Sequence, residues 1–505
     1  MSRLSRLSDP TAVRRAARFA GPVVAVVVYL LLPETYLAEG VRVAFSHAGR
    51  TTAALAAWMA LWWLTEAIEI PATALLPLVV LPVVGAGSIR EVAAPYAHDL
   101  IFFFMGGFIL SIAMQRWALH RRIALVTLSI VGTSPPRIVA GFMVATAGLS
   151  MWLSNTATTI MMLPIALSVV AMVGDRQGDA ASDDRHRLSV CLMLGIAYAA
   201  SIGGVGTIIG SPPNLFLVSY IREALGRDIT FAQWMAMGLP LVLVFLPITW
   251  WLLTRVLFPL PSRALDGADA IRAACAALKP MSAAERAVAV VFGAAALAWI
   301  GRAWLTGVTV AGVRPLAGLT DAGIAMTAAL SLFIIPARST GAGAVMRWRD
   351  LEAMPWGILV LFGGGLSLAA AIQANGVDAF LGRQAAAWQG MPSWLIIVLV
   401  TTVVIFLTEL TSNTATAATF VPILGGVAPG LGVHPYLLIV PAALAASWAF
   451  MLPVATPPNA IVFGSGHVSV SDMRRAGLRL NIAGVVVLTG LAYFVALPLL
   501  GVPLA

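Results

Sequence analysis

Two stretches of this 505-residue chain set hydroxyls, amides and, in one case, a carboxylate inside long runs of Leu, Val and Ala. They are "GLSMWLSNTATTIMMLPI" at 148–165 and "LTELTSNTATAATFVPI" at 407–423. Each is followed downstream by a Pro-Pro-Asn break, in "GSPPN" (210–214) and "ATPPN" (455–459). A hydrolase built on a serine or on Glu409 would need a positioned base or metal ligands, and none of the six His residues falls in these four segments. The residue types therefore point to binding rather than bond breaking. Where a helix stops in an apolar medium, its last carbonyls suit a hard cation and its first N–H groups suit an anion. Proline enforces the stop, because it removes donors and prevents a continuous helix. No Arg or Lys lies in the polar core of any of the four segments. An anion here would be held by hydroxyls, amides, helix N-termini and bound cations.

The rest of the chain fixes the medium. With 60% hydrophobic and 10% charged residues and a mean hydropathy of +0.92, it reads as a polytopic membrane protein. Runs long enough for a hydrocarbon core, roughly 20 residues each, fall near 19–36, 51–68, 71–87, 100–117, 190–220, 236–257, 286–305, 322–337, 355–375, 436–465 and 480–500. They predict eleven spanning helices. The stretches 138–173 and 394–428 are interrupted by the polar motifs and predict two re-entrant hairpins, since irregular backbone at membrane depth is tolerated only where protein or a cavity receives it.

The N-terminal "MSRLSRLSDPTAVRRAAR" reads as a cytoplasmic basic start rather than a cleaved signal. With that end inside, 23 of the 31 basic residues fall on the cytoplasmic side and 8 outside, as the positive-inside rule requires. The formal charge of +9 is explained by orientation and calls for no nucleic-acid partner. The connectors 174–187 and 261–286 are polar, the second with a short amphipathic helix, and neither carries a nucleotide-binding signature, which argues against an ATP-driven pump. Cys191 and Cys275 are read as packing residues, and the fifteen Trp mainly as interfacial anchors.

The two polar stretches belong to an internal repeat. "FMGGFILSIAMQ" at Phe104 and "FGGGLSLAAAIQ" at Phe362 match at an offset of 258, and so do Ser154 with Ser412 and Pro164 with Pro422. The Pro-Pro-Asn breaks match at 245. Five predicted spans separate the two Ser-Asn-Thr sites, so the halves are inverted, the architecture of a secondary transporter with its site near the midplane. A passive anion channel would not require two closed cation sites in inverted repeats. Ser150 and Thr408 are equivalent, each one helical turn before its motif serine. One such motif alone would read as helix packing; two in register, each with its break, read as a site. Glu409 is an intramembrane carboxylate that either braces its hairpin or relays a proton. Glu66 reads as structural, near the cytoplasmic interface, and "LHRR" (119–122) as an orientation signal more than an anion clamp.

The sequence resembles the divalent anion:sodium symporter family over almost its whole length. The motifs are "WWLTEAIEIPATALLPL", "FFMGGFIL" with "LHRRIAL", "WLSNTATT", "GGVGTIIGSPPN", "LTELTSNTATA" and "MLPVATPPNAIVFGSG". Glu69 stands where the family commonly has proline. The resemblance implies an all-α homodimer of eleven spans and two hairpins in the bacterial inner membrane, working as an elevator. Its scaffold would be 19–117 and 236–375, its transport domain 118–235 and 376–466, with a basic N-terminus at 1–18 and a last helix in 467–505. It implies one Na+ site at Ser150, Ser154, Asn155 and backbone around Gly203, and another at Thr408, Thr411, Asn413 and backbone around Ala455. The substrate would meet Asn155, Thr156, Asn413 and Thr414, closed by Thr456 and Pro457. The implied function is sodium-coupled symport of a divalent anion, by analogy a C4 dicarboxylate such as succinate. Citrate, sulfate and sodium-independent dicarboxylate exchange stay open.

Overall fold

The computed structural model describes residues 10–38, 41–130, 134–173, 179–261, 275–337 and 343–502, and these are mostly helical. Residues 1–9 of the basic start, part of the 174–187 connector and most of the amphipathic helix expected in 261–286 lie outside them. Among the described residues, six helices are long and apolar enough to cross a membrane: Ile89–Arg116, Asp183–Gly204, Phe231–Leu257, Ala283–Ile300, Trp356–Ala374 and Val470–Leu499. Others of the expected eleven are interrupted, and proline is a recurring reason. The segment expected over 71–87 is two helices, Ile70–Thr73 and Leu76–Val83, each with a proline in its first turn, where a missing N–H does no harm.

Both hairpins lie where the polar motifs put them. The first is Pro135–Ser150 followed by Asn155–Val173, and the second is Ser393–Thr408 followed by Asn413–Val427. The two segments carrying Pro-Pro-Asn are broken helices. One runs Asp179–Gly204 and resumes at Pro212–Leu225; the other runs Tyr436–Ala446 and resumes at Pro457–Gly464.

The glycine-rich repeat explains how these parts approach one another. A Cβ on Gly106 would lie 2.6 Å from the Ala325 carbonyl carbon, and one on Gly364 would lie 2.1 Å from Ala74 O. Their neighbours Gly107 and Gly365, equivalent at the 258 offset, face the first broken helix: a Cβ there would lie 3.3 Å from Ile209 and 2.2 Å from the Phe216 ring. Small residues let membrane helices pack backbone to backbone. Two repeat-related helices thus offer the broken helix a surface almost without side chains.

Two features depart from the sequence reading. A two-stranded antiparallel hairpin, Thr35–Ala38 with Val41–Ala44, interrupts the otherwise all-α order. It is anchored by Tyr36 and Phe45 against Phe380. Four of the fifteen tryptophans are also core residues rather than interfacial anchors, since Trp63, Trp234, Trp299 and Trp448 are among the largest fully buried side chains. Trp299 stacks on Phe231, with Trp152 completing the cluster, and the Trp299 and Trp234 indole N–H groups donate to Asp321 O and Val205 O. A buried indole with a carbonyl partner is a core residue with its polar atom satisfied.

Candidate ion-binding site

The first hairpin turns over between Ser150 and Asn155. Ser150 is fully buried, and its Oγ sits 2.5 Å from Asn155 Oδ1 and 2.8 Å from Ala200 O near the end of the first broken helix. A Cβ on Gly204 would meet Asn155 Oδ1 at 2.7 Å; one on Gly210 would meet Gly204 O at 2.5 Å and Ser150 O at 3.0 Å. Oxygens from four chain segments converge here because Gly204 and Gly210 have no side chain. Gly203, at the centre of the backbone stretch expected for this site, packs on Ala147, where a Cβ would lie 2.3 Å from the carbonyl oxygen. It seats the broken helix, and its neighbour faces the oxygens. Ser154 lies outside the cluster: it lines the adjoining cavity, and its hydroxyl accepts from Ala157 N at 3.2 Å.

The second half repeats this geometry. Thr408 is fully buried, with Oγ1 2.8 Å from Asn413 Oδ1 and 3.1 Å from Ala446 O. Thr411 bonds to Leu407 O at 3.0 Å and to Thr416 Oγ1 at 2.7 Å. Ala455 is buried beside the tip, and Thr456 accepts from Asn459 N at 3.3 Å.

The sequence reading left out two residues that hold both breaks open. Asn214 Nδ2 donates to Gly204 O and Thr207 O, each at 2.8 Å; Asn459 Nδ2 donates to Ala449 O at 3.1 Å and Leu452 O at 3.0 Å. All three positions are related by the same 245 offset. The Asn closing each Pro-Pro-Asn was the available signal, because a fully buried amide beside a helix break has orphan carbonyls to satisfy. Their Oδ1 atoms are buried and have no hydrogen-bond partner among the described residues.

Between the two clusters lies a cavity of about 1530 Å³. Both tips line it, through Ser154, Asn155 and Thr156 and through Thr411, Ser412, Asn413 and Thr414; so do both breaks, through Gly210, Ser211 and Pro212 and through Ala455, Thr456 and Pro457. Four helices therefore begin at this wall: Asn155–Val173, Pro212–Leu225, Asn413–Val427 and Pro457–Gly464. Their N-termini bring positive partial charge to one space. The two oxygen clusters sit at the opposite, C-terminal ends of the preceding helices, where partial charge is negative. Among the described residues no three His, Cys, Asp or Glu side chains converge as a metal site. Neutral oxygens suit a hard cation rather than a transition metal.

Charged groups stand back from the tips. Glu409, 2% exposed, accepts from the backbone N–H of Phe450 at 2.6 Å, Met451 at 2.9 Å and Leu452 at 3.1 Å, and from Asn481 Nδ2 at 2.8 Å. It ties the second hairpin to the unwound segment and to the last helix, which is bracing. Glu66 pairs with Arg14 at 2.5 Å, and Arg116 pairs with Asp350, all four at the rim of the cavity. Arg122 of "LHRR" is turned away, held by Glu285 at 2.5 Å and by Lys279 O at 2.7 Å.

Residues 14–500 match the family described as the sodium:sulfate symporter transmembrane region. The chain is 42% identical over 460 residues to the sodium-dependent dicarboxylate transporter SdcS of Staphylococcus saprophyticus, covering 90% of this chain and 88% of that protein. It is 41% identical over 452 residues to SdcS of Staphylococcus aureus, with 89% and 86% covered. The fold is similar to that of the Alcanivorax borkumensis YdaH transporter, with a TM-score of 0.58 at 14% identity over 95% of this chain and 98% of that one. The chain is a multi-pass membrane transporter, not an enzyme, and it belongs to the divalent anion:sodium symporter family.

Proposed function

We propose that this protein couples Na+ to the uptake of a C4 dicarboxylate such as succinate. The observation that carries the reading is the single cavity onto which four helix N-termini open, flanked by two repeat-related oxygen clusters. The Ser150–Asn155 and Thr408–Asn413 clusters each hold one cation. The dianion binds between them on the hydroxyls and amides of Asn155, Thr156, Asn413 and Thr414, with Thr456 and Pro457 beside it. Asn155 and Asn413 serve both ions, their Oδ1 atoms in the cation clusters and their Nδ2 atoms free to donate to a carboxylate. The dicarboxylate assignment is supported by the similarity to the sodium-dependent dicarboxylate transporters SdcS.

The same reading makes 118–235 and 376–466 a transport domain that slides, as an elevator, along a scaffold of 19–117 and 236–375 in an inverted-repeat homodimer. Gly107 and Gly365 support it, as smooth scaffold positions against the first broken helix. The N-terminus is cytoplasmic and the membrane the bacterial inner one. The cavity then opens toward the cytoplasm, a reading supported by the basic residues Arg14 and Arg116 on its rim.

The test is uptake of radiolabelled succinate into proteoliposomes, with and without an inward sodium gradient and with dicarboxylate inside as counter-substrate. Uptake driven by the sodium gradient alone supports symport. Uptake that needs internal dicarboxylate and ignores sodium replaces it with exchange, and competition by sulfate or citrate but not fumarate replaces the substrate.

A further inference from the structure

The cavity is uncharged at its tip end and charged at its rim, and the rim is not balanced. Arg116 ends the Asp99–Arg116 helix and Asp350 sits in the short Trp348–Ala353 turn; both line the cavity and form an ion pair. Asp350 is shared. Arg347 Nη2 lies 3.6 Å from its Oδ1, and the Arg347 backbone N–H donates to its Oδ2 at 2.7 Å. Two guanidiniums on one carboxylate leave a positive charge over, whereas the neighbouring Arg14–Glu66 pair cancels. The cluster is sheltered, since the Arg116 and Asp350 side chains are 19% and 15% exposed. Arg347 Nε is buried and has no hydrogen-bond partner among the described residues. An uncompensated charge in a low-dielectric wall acts over a longer range than one in water.

A wall connects this charge to the tips. Phe104, Phe108, Ser111, Gln115 and Arg116 all line the cavity from the one helix. They recur at helical spacing over twelve residues, about 18 Å of rise, and Gln115 Nε2 donates to Ser111 Oγ at 3.2 Å. The sequence thus runs from apolar beside the tips, through neutral polar, to cationic at the rim.

We propose that Arg116 on the cavity wall, with Arg347 behind it on the shared Asp350, forms a second anion site in the vestibule. There a carboxylate of the transported anion docks on its way between the hairpin tips and the water on that face. The inference rests on the dicarboxylate-transport reading above. Guanidinium suits the role because its planar fork takes a carboxylate bidentately, and Asp350 is the resident carboxylate that the substrate displaces. Doubly charged anions are favoured over singly charged ones.

The test compares right-side-out with inside-out vesicles, so that the succinate K0.5 is read from each face. Arg116→Gln should raise K0.5 roughly three- to tenfold from the Arg116 face and flatten its ionic-strength dependence there, leaving the other face and the sodium dependence unchanged. Asp350→Asn should do the reverse and lower K0.5 from the Arg116 face, because it frees both guanidiniums. A pair with only a structural role would make both substitutions lower uptake from both faces alike, and that result overturns the site. If Asp350→Asn does not fold, Arg347→Gln should still raise K0.5 on the Arg116 face alone, and no change there also overturns it. Wild-type vesicles without sodium-driven succinate uptake overturn the functional reading instead, and the vestibule site with it.

Discussion

At the residue scale Asn155 and Asn413 join the cation clusters to the anion cavity. Each side chain touches the hydroxyl of its cation cluster and lines the anion cavity, so its replacement by Ala should weaken sodium and substrate binding together, by roughly tenfold each, because coupling between linked ligands is reciprocal. Equilibrium binding of both ions to the purified variants checks this, and a variant that loses only one ion lacks the double role. Glu409 makes a second prediction. Four donors converge on it in a buried site, and hydrogen bonds to a charged group contribute about 1.5–3 kcal/mol each. Glu409→Ala should therefore cost several degrees of thermal stability and most of the uptake. The wild-type uptake should fall as external pH drops through roughly 5 to 6, following the dianion fraction of the substrate. A rate that rises between pH 7 and 5.5 under saturating sodium would make Glu409 a proton carrier. Much of the site was legible in the sequence: the hydroxyl one turn before each Ser-Asn-Thr is where the repeat put it. Gly204, Gly210, Asn214 and Asn459 were not read, because their roles come from backbone approach and orphan carbonyls, which leave little trace in residue type. Ser154, a cation ligand only by family resemblance, has its side chain on the cavity wall, where it caps the following helix.

At the scale of elements, the breaks and the glycine seam carry the account. The hairpins and broken helices were legible because Pro-Pro-Asn and Ser-Asn-Thr are incompatible with a continuous apolar helix. The Thr35–Ala44 strand pair escaped, since four-residue strands beside a helix end have no periodicity to read. The buried tryptophans escaped too, because composition cannot distinguish an indole at an interface from one with a carbonyl partner in the core. The seam predicts a position-dependent effect. Gly365→Ala puts a methyl group 2.2 Å from the Phe216 ring, whereas Gly107→Ala meets Ile209 at 3.3 Å. The first should cut the maximal transport rate at least tenfold while leaving sodium-dependent substrate binding near normal; the second should cut it only slightly. Equal effects of the two would mean that the seam does not slide.

At the scale of the whole molecule, one chain folds the same small device twice and turns both copies toward one cavity. The repeat was legible as two gapless offsets, 258 and 245, and the hydrogen bonds within the hairpin tips and within the breaks follow them. Two cation clusters beside one anion cavity predict that the ions bind as a set. The measurement that tests this most directly is the initial rate of succinate uptake into proteoliposomes as a function of external sodium, with choline replacing sodium at constant ionic strength. The account predicts a sigmoidal rise with a Hill coefficient above 1, on the order of 2 for two cooperating sites, and a rate near background in choline. A hyperbolic rise would contradict two coupled cation clusters, and undiminished uptake in choline would contradict sodium coupling altogether.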